Sequence, residues 1–142
     1  MVMVMTRLAK GLLCIVCLTL AACATQTGFG LSQEFDRSVK AYNRMLRWHE
    51  IESAGMTYID PELREEYLKR AESLKKQGLS FTDFRILSAI YVPEKKTGDA
   101  IAEFDYYILP SNRVKTVSYR QEWVYTESDK KWKLKSGLPD FE

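Results

Sequence analysis

The sequence predicts an α+β domain: N-terminal helices packed on a four-stranded antiparallel sheet, behind a cleaved signal peptide. The hydrophobic period changes from that of a helix to that of a strand at Phe81. Turn-rich segments at 93–99, 110–112 and 127–130 then divide the remainder into four strands. Removing residues 1–22 from the 142 leaves 120, a length that suits one domain.

The leader comes first. Arg7 and Lys10 precede an uncharged apolar run over 11–20, and Ala21 and Ala22 are small residues directly before Cys23. This is the layout of a secretory signal, and the run falls short of the roughly 20 residues that span a bilayer. Leu20-Ala21-Ala22-Cys23 resembles the lipobox of bacterial lipoproteins. The resemblance implies that the Cys23 thiol takes a diacylglyceryl group, that the leader is cut before it, and that the freed amine is acylated. Each buried CH₂ contributes about 0.8 kcal/mol, so two or three chains on one cysteine make a lasting anchor. Ala24, in place of an aspartate, implies sorting to the outer membrane, facing the periplasm of a Gram-negative cell. The alternative is an ordinary secretory signal that leaves Cys23 a free thiol.

The leader changes the charge count. Two of the 21 basic residues lie in it, so 19 basic face 19 acidic side chains in the rest of the chain. That balance gives no basic field for nucleic acid. Cys14 and Cys17 have C-x-x-C spacing but fall inside the apolar run, which argues against a redox or metal motif. With Cys23 acylated no thiol remains for a disulfide, so the domain depends on its core alone.

Residues 23–33, the lipidated cysteine and a small, polar, glycine-bearing stretch, read as a flexible tether, and 34–142 as the single domain. Ser32 is placed to cap a first helix. Its stripe is Phe35, Val39, Tyr42, Leu46 and His49, widened by Met45 and Trp48, and its end is expected between Glu52 and Gly55. Asp60-Pro61-Glu62 marks the next start: a cap, a proline at the first helical position and an acid at the positive end. Leu63, Tyr67, Ala71 and Leu74 form the inner side of that helix, and Gly78 stops it.

In the first strand Phe84, Ile86, Ser88, Ile90 and Val92 share a face. In the second, Ala100, Ala102, Phe104, Tyr106 and Ile108 do so, with Glu103, Asp105 and Tyr107 on the other side. The third runs from Val114 to Tyr125 and is rich in β-branched and aromatic residues. In the last, Lys131, Lys133 and Lys135 are expected to face water and guard an edge.

The terminal pair, Tyr119-Arg120-Gln121-Glu122-Trp123-Val124-Tyr125 then Lys131-Trp132-Lys133-Leu134, resembles that of nuclear transport factor 2-like domains. The resemblance implies a curved sheet that wraps the helices into a cone. That family usually has three N-terminal helices, so 55–59 would supply a bend or a short third one.

Candidate chemistry is thin. His49, the one histidine, reads as a partly buried packing residue or, alternatively, a general base within the cone. Glu103 and Asp105 with Tyr107 could perform acid–base work if burial split their pKa values. The plainer reading pairs these carboxylates with Arg120 or Lys115 across the sheet. Tyr106, Tyr119, Trp123, Tyr125 and Trp132 serve either a core or an apolar ligand pocket. The residues imply no metal and no cofactor: one histidine is a poor zinc set, and no phosphate loop or nucleophile elbow occurs. The expected role is a lipid-anchored cell-envelope protein that binds or assembles without catalysis, its partner an envelope protein or a small apolar ligand. The alternative is a membrane-tethered isomerase or hydratase acting on a small apolar substrate.

Overall fold

A computed structural model describes residues 28–142. The leader over 1–22, Cys23 and the first part of the expected tether lie outside the described residues. The domain is the unit Glu34–Glu142. Three helices pack on a four-stranded antiparallel sheet: α1 (28–47), α2 (Ile51–Tyr58) and α3 (Arg64–Lys76), the last entered through a 3₁₀ turn at Pro61–Leu63. Strands β1 (Leu79–Val92), β2 (Thr97–Ile108), β3 (Lys115–Thr126) and β4 (Lys131–Leu134) follow in a meander ordered β1-β2-β3-β4. Among the described residues no helix is long and apolar enough to cross a membrane.

The expected helical stripe is the core face of α1: Phe35, Val39, Tyr42 and Leu46 are all buried. The boundaries differ from expectation. Residues 28–33 are already helical, so the helix continues through Gly28, Gly30 and Ser32, where a tether and a cap were expected. A glycine costs a helix about 1 kcal/mol but does not forbid it.

At its other end α1 stops at Arg47, several residues early. His49 N–H donates to the Leu46 carbonyl at 3.0 Å and Glu50 N–H to the Met45 carbonyl at 2.9 Å. His49 has φ +64°, so the pattern is a Schellman stop with histidine at the position glycine usually takes. The chain restarts at once as α2, which buries Ile51, Ala54 and Gly55. Trp48, placed on the stripe by periodicity, is instead exposed, with the Arg47 guanidinium 5.5 Å from its ring centre. The next start behaves as expected: the Asp60 carboxylate accepts from Glu62 N–H at 3.1 Å, and Gly78 ends the α3 region at φ +79°.

β2 buries Ala100, Ala102, Phe104 and Tyr106 as the alternation predicts. β1 does not keep one phase. Register shifts fall between Phe81 and Asp83 and between Ile86 and Ser88. Each extra residue swaps the faces. Phe84 and Ile86 point inward, but Ile90 is 61 % exposed, and Tyr91 packs inside against Trp132 with ring centres 5.6 Å apart.

Lys133 also departs from expectation. It is 7 % exposed, and its ammonium donates to the Thr57 carbonyl at 2.9 Å. The last turn of α2 carries no basic residue, so Lys133 satisfies a carbonyl the helix leaves open. The edge beyond β4 is covered by Ile59, which bridges Leu134 in parallel, and by Asp60 N–H, which donates to the Leu134 carbonyl at 3.0 Å.

The core is aromatic. Phe35 lies 5.0 Å from Trp132, and Tyr42 and Tyr58 both meet Trp123 edge-on at 5.8 and 5.9 Å. Two glycines make room for this. A methyl group on Gly98 would come within 2.4 Å of the Phe35 ring, and one on Gly55 within 2.4 Å of the Tyr67 ring.

Candidate functional site

The four candidate residues do not assemble. His49 is an exposed helix stop on α1. Glu103, Asp105 and Tyr107 sit together on the outer face of β2, away from the core. Arg85 on β1 bridges the two carboxylates: Nε donates to Glu103 at 3.2 Å and a terminal nitrogen to Asp105 at 3.1 Å. Thr116 on β3 donates to the second Asp105 oxygen at 2.7 Å. The Thr116 hydroxyl, and then Arg85, hold the Asp105 carboxyl below its usual range. A carboxylate stabilised as an anion is a poor proton donor near neutral pH.

The cross-strand partners are thus Arg85 and Thr116, not Arg120 or Lys115. Arg120 pairs with Asp99 at 3.2 Å, and Lys115 donates to the Glu142 carbonyl at 2.5 Å. Asp83, directly opposite Asp105, turns back to the Phe84 N–H at 2.8 Å.

The aromatic residues divide in favour of a core. Tyr106, Tyr119, Trp123 and Trp132 are buried, and Tyr125 is half-buried against Trp132. Inside them lie two polar clusters. The Tyr42 hydroxyl is 3.1 Å from that of Tyr67 and 3.0 Å from that of Tyr119, joining α1, α3 and β3. Asn43 and Gln121 exchange reciprocal amide hydrogen bonds of 3.1 and 2.7 Å. Burial pushes Tyr42 up first, with Tyr119 and Tyr67 adding to it; burial also pushes Tyr67 and Tyr119 up. All three hydroxyls therefore stay neutral, and they pin the helices to the sheet.

The concave feature lies elsewhere. A groove of about 600 Å³ runs between α3 and the segment that follows β4. Buried Ile59 and Tyr67 form its floor, with half-buried Leu63 and Leu138 beside them. Lys69 and Arg70 from α3 line it, with Lys135 and Asp140 from the segment and Glu66 between. The segment is held at its end. Phe141 packs 5.6 Å from Phe81 and 5.1 Å from Tyr106, and the Tyr106 hydroxyl meets the Glu142 N–H and carbonyl at 3.2 Å. Arg70 holds Asp140 at 3.2 Å and Lys135 holds Asp60 at 2.7 Å. Ser136, the hydroxyl in the groove, accepts from Glu122 N–H at 2.8 Å. A second hollow of about 210 Å³, beside Tyr58 and Trp132, is below the usual size of a ligand pocket.

The lining of the groove suits binding: an apolar floor, charged flanks, and neither histidine nor cysteine. Among the described residues no group of three His, Cys, Asp or Glu could hold a metal ion. Residues 135–142 carry little periodicity, and Arg70 and Asp140 are 70 positions apart, so sequence patterns do not foretell the groove.

No family model matches the chain. No curated protein matches it. Among solved structures it is similar to the intermembrane space region of the chloroplast protein ARC6, with 17% identity and a TM-score of 0.48 over 71% of this chain and 94% of that one. A likeness of that size carries no argument about function.

Proposed function

We propose that the protein is a lipid-anchored cell-envelope protein whose α+β domain binds a ligand or partner without catalysis. The observation that carries the reading is Leu20-Ala21-Ala22-Cys23 at the end of an uncharged apolar run with a basic start. Acylation of Cys23 would hold the domain at a membrane, and Ala24 favours the outer one, on its periplasmic side.

Two features of the domain support the binding half. The groove along α3 has the size and apolar floor of a ligand site. The residues the isomerase or hydratase alternative requires are spread between a helix stop and an ion-paired outer sheet face. Fractionation of cells that express the protein tests the anchor. Cys23→Ser is expected to move the domain out of the membrane fraction or to accumulate an uncut precursor. Unchanged attachment with normal processing would refute it.

A further inference from the structure

The structure assigns the groove between α3 and residues 135–142 to a small amphipathic carboxylate, whose head group takes the place of Asp140 on Arg70. Its size comes first: about 600 Å³ lies within the roughly 300–1,000 Å³ typical of small-molecule sites. Its polarity is divided, with Ile59, Leu63, Tyr67 and Leu138 on the apolar side and cations at the flank. Lys69 and Lys135 are engaged by Glu65 at 2.8 Å and Asp60 at 2.7 Å. Arg70 is held differently. Its partner is one oxygen of Asp140 at 3.2 Å, on a segment without regular structure, and that side chain is 98% exposed.

A guanidinium presents a planar fork that two carboxylate oxygens can fill together. Asp140 uses it through one contact and without desolvation, so a free carboxylate that also buries an apolar body can displace it. The exchange is local, because Phe141 stays packed on Phe81 and Tyr106 and keeps the wall of the groove in place. The charges favour an anion. With Asp140 turned away, Arg70 loses its partner while Lys69 and Lys135 keep Glu65 and Asp60. A cationic ligand would meet the freed Arg70 guanidinium.

The assignment rests on the non-catalytic binding reading. The anchor experiment reads membrane attachment and the one here reads ligand uptake, so either can fail without the other. The full-length protein in phospholipid vesicles is titrated calorimetrically with 4-phenylbutyrate, with empty vesicles as the blank and 4-phenylbutanol as the uncharged control. Saturable uptake of the carboxylate is expected, with the alcohol bound about tenfold more weakly for want of a charge-assisted hydrogen bond. Asp140→Asn, on a fully exposed side chain, should tighten the carboxylate by about two- to fivefold and leave the alcohol unchanged. Arg70→Gln, checked for folding by circular dichroism, should erase the preference for the carboxylate. No saturable uptake at millimolar concentration, equal affinity for acid and alcohol, or an Asp140→Asn variant that binds no more tightly would each overturn the assignment.

Discussion

Replacing Gly98 with alanine drives a methyl group into the Phe35 ring. The new Cβ would stand 2.4 Å from one ring carbon and 2.5 Å from the next, where ordinary contact begins near 3.4 Å. Phe35 has little room to retreat. It is buried, with Trp132 at 5.0 Å and Trp123 and Tyr91 at 6.4 Å between ring centres. Two effects oppose each other. Alanine lowers the entropy of the unfolded chain, a gain of about 0.4–1 kcal/mol where the backbone accepts it. Overpacking a filled core costs typically 1–3 kcal/mol. The clash spans three ring atoms, so the loss prevails, and a net destabilisation of about 1–2 kcal/mol is expected. Urea unfolding followed by tryptophan fluorescence measures it as a lower midpoint at unchanged m-value. Phe35→Leu combined with Gly98→Ala should cost less than the two single changes together. A Gly98→Ala protein as stable as the parent would refute the packing argument.

Three further changes probe other parts of the fold. Tyr42→Phe leaves the Tyr67 and Tyr119 hydroxyls buried without their shared partner and should cost about 1–3 kcal/mol in urea unfolding, more than Tyr119→Phe at the end of the chain of hydroxyls. His49→Gly should hold or raise stability by up to about 1 kcal/mol, because φ +64° is free for glycine, while His49→Val should lower it. The Lys135 ammonium holds the Asp60 carboxyl below its usual range, more than its burial raises it. Its contribution is therefore full above the unfolded carboxylate value of about 3.9 and is lost as pH falls through the lower folded value. The stability gap between the parent and Asp60→Asn, measured by urea unfolding at several pH values, should be constant near neutrality and close below about pH 4.

The parts of the fold legible in the sequence are those that one buried face dictates. Phe35, Val39, Tyr42 and Leu46 repeat at helical spacing because a single side of α1 meets the sheet. Ala100, Phe104 and Tyr106 alternate because β2 is covered on one side only, and Asp60-Pro61 marks a helix start through local chemistry. What periodicity extrapolates wrongly lies where a local exception intervenes. His49 continues the stripe in sequence, yet the backbone turns left-handed there without the glycine that signals such a stop. Ile90 continues the β1 alternation, but a register shift after Ile86 turns it outward. Lys133 is buried because a carbonyl 76 residues away needs a donor. Asn43 and Gln121 find each other across a similar separation. The groove belongs to this last kind: its walls come from 59–70 and 135–140, which only the folded chain brings together.

The intact mass and first residue of the protein isolated from membranes test the lipid anchor directly. The expected chain begins at Cys23, lacks residues 1–22 and carries a diacylglyceryl group on the Cys23 sulfur. A chain that retains the leader, or one with an unmodified Cys23 thiol, would contradict it.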